Sequence, residues 1–312
     1  MLKIIRAGMS SSIQDAGRIG WRQYGISLSG VLDHPAMQTA NMLVGNAPDS
    51  AVLEITLGQF CAEFQRDGWI GLAGAGCQAQ LDGEPVWTGW RTAVKKGQRL
   101  TLSMPQRGMR SYLAVNGGYA VEQRLDSAST DLKAGFGGFN GRQLQDGDSL
   151  PLGEPTCDFS QPAGVRQLLW GNRVRAMPGP EYHEFSADSQ EAFWRSAWRL
   201  NPQSNRMGYR FQGRKLTRNV GRDLLSHGLI PGVIQVPPNG QPIVLLADAQ
   251  TTGGYPRIAC VIEADLYHLA QLRLGEPIHF VYCTLQEALQ AKREQQRSLE
   301  QMAWGLANES RS

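Results

Sequence analysis

Turn signals built on glycine recur at short intervals through the first half of this chain, and they cap the length of any element that can lie between them. Asp67-Gly68, Asp82-Gly83, Lys96-Gly97, Asn116-Gly117-Gly118 and Asp146-Gly147 are pairs or triplets of this kind. Glycine reaches positive φ without a steric penalty, so each marks a place where the backbone can reverse. The runs between them, at 51–57, 61–65, 69–72, 78–81, 99–103 and 111–115, are short and either apolar or alternating. Short runs bounded by reversals read as strands. Many short strands need a closed or doubled sheet to bury their faces, so the expected fold is mostly β, a barrel or a sandwich.

Other segments fill out this plan. Residues 2–6 read as an opening strand, and 10–30 as a polar stretch punctuated by glycine. Asp33 can cap a helix carrying Pro35 in its first turn and Met37, Ala40 and Leu43 at helical spacing, with Gly45-Asn46 closing it. The segment 151–164, PLGEPTCDFSQPAG, has the composition of a linker. It divides the chain into a first β-barrel domain at 1–155 and a second at 165–284. Strands are expected there at 167–170, 172–177, 233–236, 243–247, 258–262 and 278–282, and short helices at 189–196 and 264–273. A C-terminal helix at 285–308 carries Leu289, Leu299 and Met302 among charged and amide residues. Two local echoes fit either a pair of related barrels or chance in a glycine-rich chain. Gly17–Arg22 resembles Asn205–Arg210, and Leu113-Ala114 leading to Gly117-Gly118-Tyr119 resembles Leu246-Ala247 leading to Gly253-Gly254-Tyr255.

Composition excludes several classes. A net charge of +3 with dispersed arginines gives no nucleic-acid footprint. The five cysteines are odd in number and far apart, with no C-x-x-C pair, which points to reduced thiols and no zinc site. The N-terminus has no signal-peptide core, and no apolar stretch approaches the roughly 20 residues needed to span a bilayer. The expectation is a cytoplasmic protein with no membrane segment and no bound metal.

Four segments concentrate chemistry. Gln14-Asp15-x-Gly17-Arg18 packs an amide, a carboxylate and a guanidinium beside a turn. Such a set can grip a carboxylate or an amide, or it can brace the turn. Asp248-Ala249-Gln250-Thr251-Thr252-Gly253-Gly254-Tyr255 follows an apolar strand and offers hydroxyls and backbone N–H groups suited to a developing oxyanion. His227, on a glycine-bounded loop ahead of Gln235, is a candidate general acid or base. Ser129-Thr130, followed by Gly137, Gly138 and Arg142, could cradle an anion. A Walker-type G-x-x-x-x-G-K-[ST] is absent, G-x-S-x-G is absent, and Gly71-x-x-Gly74-x-Gly76 lies in β text without the helix of a dinucleotide fold.

Taken in order, these segments resemble one family. Gln14-Asp15-x-Gly17-Arg18, Ser29-Gly30-x-x-Asp33, Asn41-x-Leu43-Val44-Gly45-Asn46, Arg110-x-Tyr112-Leu113-Ala114-Val115, Asn205-Arg206-Met207-Gly208, Pro231-Gly232-x-x-Gln235-Val236-Pro237 and the 248–256 stretch are similar to the allophanate hydrolase subunit 2 or KipA family. That family is related to the carboxyltransferase region of urea carboxylase. The resemblance implies a cyclophilin-like β-barrel architecture. It also implies an ATP-dependent amidohydrolase, with ATP and Mg as co-substrate, that opens a small cyclic amide, 5-oxo-L-proline, to L-glutamate. The implied partners are two further chains of a 5-oxoprolinase, a smaller KipI-like B subunit, and its A subunit. The implied site has Thr251, Thr252, Gly253 and Gly254 facing the lactam oxygen and Arg18 holding the carboxylate. Asp15, Asp248 or His227 would move a proton, and Gln14, Gln235 and Tyr255 would line the substrate. The sequence departs from the family at 126–130, where Asp-Ser-Ala-Ser-Thr replaces Gly-Ser-Arg-Ser-Thr, and at His227, where Glu is frequent. No biotin-attachment Met-Lys-Met occurs. Two other activities share these motifs: a biotin-dependent urea or amide carboxyltransferase, and a KipA-like regulator that binds a kinase inhibitor.

Overall fold

The computed structural model describes residues 1–309. The chain forms two compact units. The first comprises 1–18, 29–169 and the stretch from 296 onward, and the second comprises 19–28 and 170–295.

The first unit is built from two six-stranded antiparallel sheets, not a closed barrel. One orders its strands Ser149–Leu150, Leu2–Arg6, Phe60–Phe64, Arg99–Leu102, Ala79–Leu81, Glu84–Val86. The other runs Ala163–Gly164, Trp90–Val94, Gly68–Gly76, Arg107–Val115, Val52–Thr56, Ser10–Gln14. Leu2, Ile4, Phe60 and Leu100 from the first sheet meet Ile13, Leu53, Leu72 and Leu113 from the second in one core. Alternation then sends Tyr112, Ala114 and Ala73 to the opposite face, where they meet Met37 and Ala40 of the helix His34–Leu43. That helix begins where expected, with Asp33 accepting from the Ala36 N–H and Pro35 in the first turn. It lies so close to the sheet that a Cβ at Gly71 would collide with the Ala40 carbonyl.

Three features of this unit differ from the sequence reading. The segment 10–14 is a strand, because it pairs along Val52–Thr56 and buries its serine hydroxyls in hydrogen bonds instead of burying apolar area. The segment 151–164 does not separate the units. Ala163–Gly164 pairs with Trp90-Arg91 and Phe159 packs edge-on against Trp69, so the boundary falls after Leu169. The C-terminal helix, Leu285–Glu309, buries Ala291 and Leu306, while Leu289 is exposed.

The second unit carries a closed barrel of seven strands. Around the ring they are Arg173–Pro178, Arg257–Val261, Val233–Gln235, Ile243–Leu245, Gly208–Gln212, Trp198–Leu200 and Pro277–Tyr282. A parallel pairing between the first and last of these closes it. The helix Ala187–Arg195 plugs one side, with Phe193 stacked on Phe280 at a 4.9 Å centroid distance. A separate two-stranded ribbon pairs His227–Gly228 with Thr252–Gly253. The echo between Gly17–Arg22 and Asn205–Arg210 does not extend to conformation. Arg22 opens a 3-10 turn, Arg22–Tyr24, whereas Gly208–Gln212 is a barrel strand.

Candidate functional site

The structure divides the expected site residues between the two units. In the first unit, Asp15 is the hub. Its carboxylate accepts from the Gly17 N–H (2.8 Å), the Ser127 hydroxyl (2.6 Å), the Ser129 hydroxyl (2.5 Å) and the Ala128 N–H (2.6 Å). Gln14 donates to the Thr130 carbonyl at 3.2 Å and accepts from the Gly30 N–H at 3.1 Å. The Thr130 hydroxyl donates to the Ile13 carbonyl at 2.9 Å. Arg18 is fully buried, donates to the Ser129 carbonyl, and stacks its guanidinium over Phe136 at 4.5 Å. The loop 127–131 is thereby stitched to the end of the strand Ser10–Gln14.

This arrangement bears directly on the expected anion loop. Gly137 and Gly138 sit at positive φ and press on Ser129 and Thr130. The hydroxyls of Ser129 and Thr130 point inward to named acceptors, and Arg142 is held by Asp148 in a two-pronged contact at 2.7 and 2.8 Å. That ion pair keeps the Asp148 carboxyl below its ordinary range and raises Arg142. The Ser129 and Thr130 hydroxyls and the Arg142 guanidinium do not fit a phosphate cradle, because they are committed to Asp15, Ile13 and Asp148.

The remaining expected residues gather in the second unit around the ribbon. His227 pairs with Gly253, Gly228 pairs with Thr252, and the Leu229 N–H donates to the Thr251 carbonyl at 2.8 Å. Gln235 lies on a barrel strand facing this turn, and its amide donates to the Tyr255 carbonyl at 3.3 Å. A Cβ at Gly253 would overlap Leu229 and reach 3.4 Å from the Gln235 amide, so the turn and the glutamine are packed together. Thr252 and Tyr255 are exposed, and Thr251 is half-buried. Asp248 is buried and bound by Arg206 through two contacts of 3.0 and 3.2 Å.

His227 has a defined tautomer. Its Nδ1 lies 3.1 Å from the Leu225 carbonyl, which can only accept, so Nδ1 carries the proton. Nε2 is buried without a hydrogen-bond partner among the described residues. Nearby, Glu181 is held by Arg257 through contacts of 2.7 to 2.9 Å. Burial would push the Glu181 carboxyl up, but the Arg257 hydrogen bonds and charge, with a smaller contribution from His227, bring it down.

One residue of this set was not expected from sequence. Arg22 reaches the ribbon from the 3-10 turn, and its Nη2 donates to the Leu229 carbonyl (2.7 Å) and the Gln250 carbonyl (3.1 Å). These acceptors are 207 and 228 residues away in the chain, so no local pattern could have announced them. Among the described residues no cluster of three or more His, Cys, Asp or Glu side chains could hold a metal ion. Among those residues, too, no helix is long and apolar enough to cross a membrane.

Residues 24–282, which include the closed barrel and the Thr-Thr-Gly-Gly ribbon, match the family model of the carboxyltransferase domain, subdomain A and B. The chain belongs to this family. Its near relatives are proteins named as the C subunit of 5-oxoprolinase. The one from Escherichia coli (strain K12) is 64% identical, covering 99% of this chain and 100% of that protein. The one from Haemophilus influenzae (strain ATCC 51907 / DSM 11121 / KW20 / Rd) is 43% identical, with 97% of each chain covered. The solved urea amidolyase of K. lactis is more distant in sequence at 28% identity, yet superposes with a TM-score of 0.89. The match covers 96% of this chain and 20% of that one, so the chain spans about a fifth of the urea amidolyase.

Proposed function

We propose that this chain is one component of a cytoplasmic, ATP-dependent 5-oxoprolinase, acting with a smaller B subunit, and with the enzyme's A subunit, to convert 5-oxo-L-proline to L-glutamate. The observation that supports this most strongly is 64% identity along essentially the whole of a protein named as the C subunit of 5-oxoprolinase. The urea amidolyase, at 28%, favours the carboxyltransferase alternative less.

The chemistry fits the ribbon site. A five-membered lactam is a poor electrophile, and transfer of the γ-phosphoryl group of ATP to its oxygen makes the ring carbon reactive. ADP leaves in that transfer. Water adds to the ring carbon and the C–N bond breaks, giving a γ-glutamyl phosphate with a free amine. A second water hydrolyses this acyl phosphate to glutamate and phosphate. Charge develops on the oxygen, and hydroxyls and backbone N–H groups stabilise it when they are already in place. Thr251, Thr252, Gly253 and Gly254 supply such groups on the ribbon. His227, with Nδ1 fixed and Nε2 open as an acceptor, is the base for the attacking water. Asp248, clamped by Arg206, holds the strand end from which the ribbon departs. Asp15 and Arg18 brace the loop 127–131 in the first unit.

The test is reconstitution. The chain is mixed with its two candidate partner chains, and ATP hydrolysis and glutamate formation are followed with 5-oxoproline, omitting each component in turn. Coupled turnover that needs every component is the expected result. Turnover that instead needs bicarbonate and a biotinylated partner would establish the carboxyltransferase reading. Partner binding without turnover would establish the regulatory one.

A further inference from the structure

The arginine beside the ribbon is only half used. Nη2 of Arg22 bridges the two arms of the ribbon through the Leu229 and Gln250 carbonyls, which fixes the plane of the guanidinium. Nη1 is buried and has no hydrogen-bond partner among the described residues. Other partly or fully buried arginines of this unit meet an acid: Arg206 meets Asp248, Arg218 meets Glu184, and Arg257 meets Glu181. Arg22 has none, and burial alone makes it a weaker base than usual, with no carboxylate to offset it. A guanidinium in this setting is held at a cost that a bound anion would remove. Its planar fork suits a carboxylate, and its contacts to Leu229 and Gln250, two residues along the chain from His227 and three from Gly253, set it at the ribbon.

We propose that Arg22 Nη1 anchors the carboxylate of the substrate at the ribbon, so that this site selects lactams bearing an α-carboxylate over the same ring without one. This rests on the 5-oxoprolinase reading and deepens it. Arg22 takes the role that the family resemblance suggested for Arg18, which in the first unit donates to the Ser129 carbonyl and stacks on Phe136. The Gln235 and Gln250 amides, which both lie within 4 Å of a Cβ built on Gly253, form the polar wall opposite the ring.

The experiment compares the reconstituted complex carrying wild-type chain, Arg22→Gln or Arg22→Lys with two probes, 5-oxo-L-proline and 2-pyrrolidinone. The second is the same lactam without a carboxylate. Binding is read by calorimetric titration, and turnover by release of glutamate from 5-oxoproline and of 4-aminobutanoate from 2-pyrrolidinone. Arg22→Gln is expected to weaken 5-oxoproline about 100-fold, mainly in KM, the loss typical of a removed charge-assisted partner. It should leave 2-pyrrolidinone binding within about threefold. Arg22→Lys should recover part of the loss, and so should added guanidinium ion with Arg22→Gln, which a merely structural role would not allow. Equal weakening of both probes, or an unchanged KM for 5-oxoproline in an active complex, overturns the proposal and leaves the proposed reaction standing. If the wild-type complex does not open 5-oxoproline, the reaction itself is wrong. Titration of the chain with 5-oxoproline then decides the site: Arg22-dependent binding retains it, and no binding removes it.

Discussion

Removing the Asp15 carboxylate separates bracing from catalysis in the first unit. One oxygen, Oδ1, accepts from the Gly17 N–H and from the Ser127 and Ser129 hydroxyls, while Oδ2 accepts only from the Ala128 N–H. Asp15→Asn can place its amide oxygen at the Oδ1 position and keep three contacts. The Ala128 N–H then faces an NH2 group and loses its acceptor, which costs about 2–3 kcal/mol for one buried orphan plus repulsion. Asp15→Ala removes all four acceptor contacts. The hydroxyls can rotate toward other carbonyls, but two backbone N–H groups stay buried and unmatched, so the loss is about 4–5 kcal/mol. Urea unfolding followed by tryptophan fluorescence measures both. Amide exchange at Gly17 and Ala128 localises the effect and should show early loss of protection. The reconstituted activity of Asp15→Asn, assayed well below its melting temperature, should stay within about threefold of wild type. Two results would refute this reasoning: both variants within about 0.5 kcal/mol of wild type, or full stability with abolished turnover.

Three further outcomes are expected. Gly137→Ala, at φ +73°, would strain the backbone and drive a methyl group into the Ser129 carbonyl and the Arg18 guanidinium, so its urea midpoint should fall by the equivalent of about 3 kcal/mol. Burial lowers the affinity of His268 for a proton, with Asp265 opposing this only in part, and its Nδ1 accepts from the Gly171 N–H at 3.0 Å. The folded state therefore favours neutral imidazole. Its contribution is complete above the ordinary histidine value of 6.5 and is lost as pH falls through the lower folded value, so His268→Gln should flatten the acid side of a stability–pH curve. Burial pushes the Cys260 thiol up to about 11, while Cys157 is exposed, so iodoacetamide at pH 8 should label Cys157 well before Cys260 by peptide mass mapping.

What sequence revealed of this protein follows what local chemistry can encode. The helix His34–Leu43 was legible because Asp33, Pro35 and the apolar spacing are neighbours in the chain. The strands between glycine turns were legible for the same reason. The strand Ser10–Gln14 was hidden because three of its five residues are serine, and its burial is satisfied by hydroxyl contacts that no hydropathy pattern marks. The segment 151–164 looked like a linker by composition, yet its ends are pinned by sheet pairing and by Phe159 on Trp69. The Thr-Thr-Gly-Gly ribbon stood out as a dense polar motif, and His227 as its histidine. Arg22 did not, since an arginine after a tryptophan carries no mark of the carbonyls it will meet. Arg18 drew attention through its motif, and only the structure reveals a guanidinium fully buried against the Ser129 carbonyl and Phe136.

The route of the chain through its two units carries a consequence for biosynthesis. The first unit takes up Leu306, which packs with Leu43 and Ala163, so this apolar contact is completed by a residue translated after the whole of the barrel unit. By contrast, everything the barrel unit needs has been made once residue 295 has left the ribosome. A nascent chain stalled soon after residue 295 would thus hold a finished barrel and a first unit whose Leu43–Ala163 patch is still uncovered, and it is there that a chaperone would find its handle.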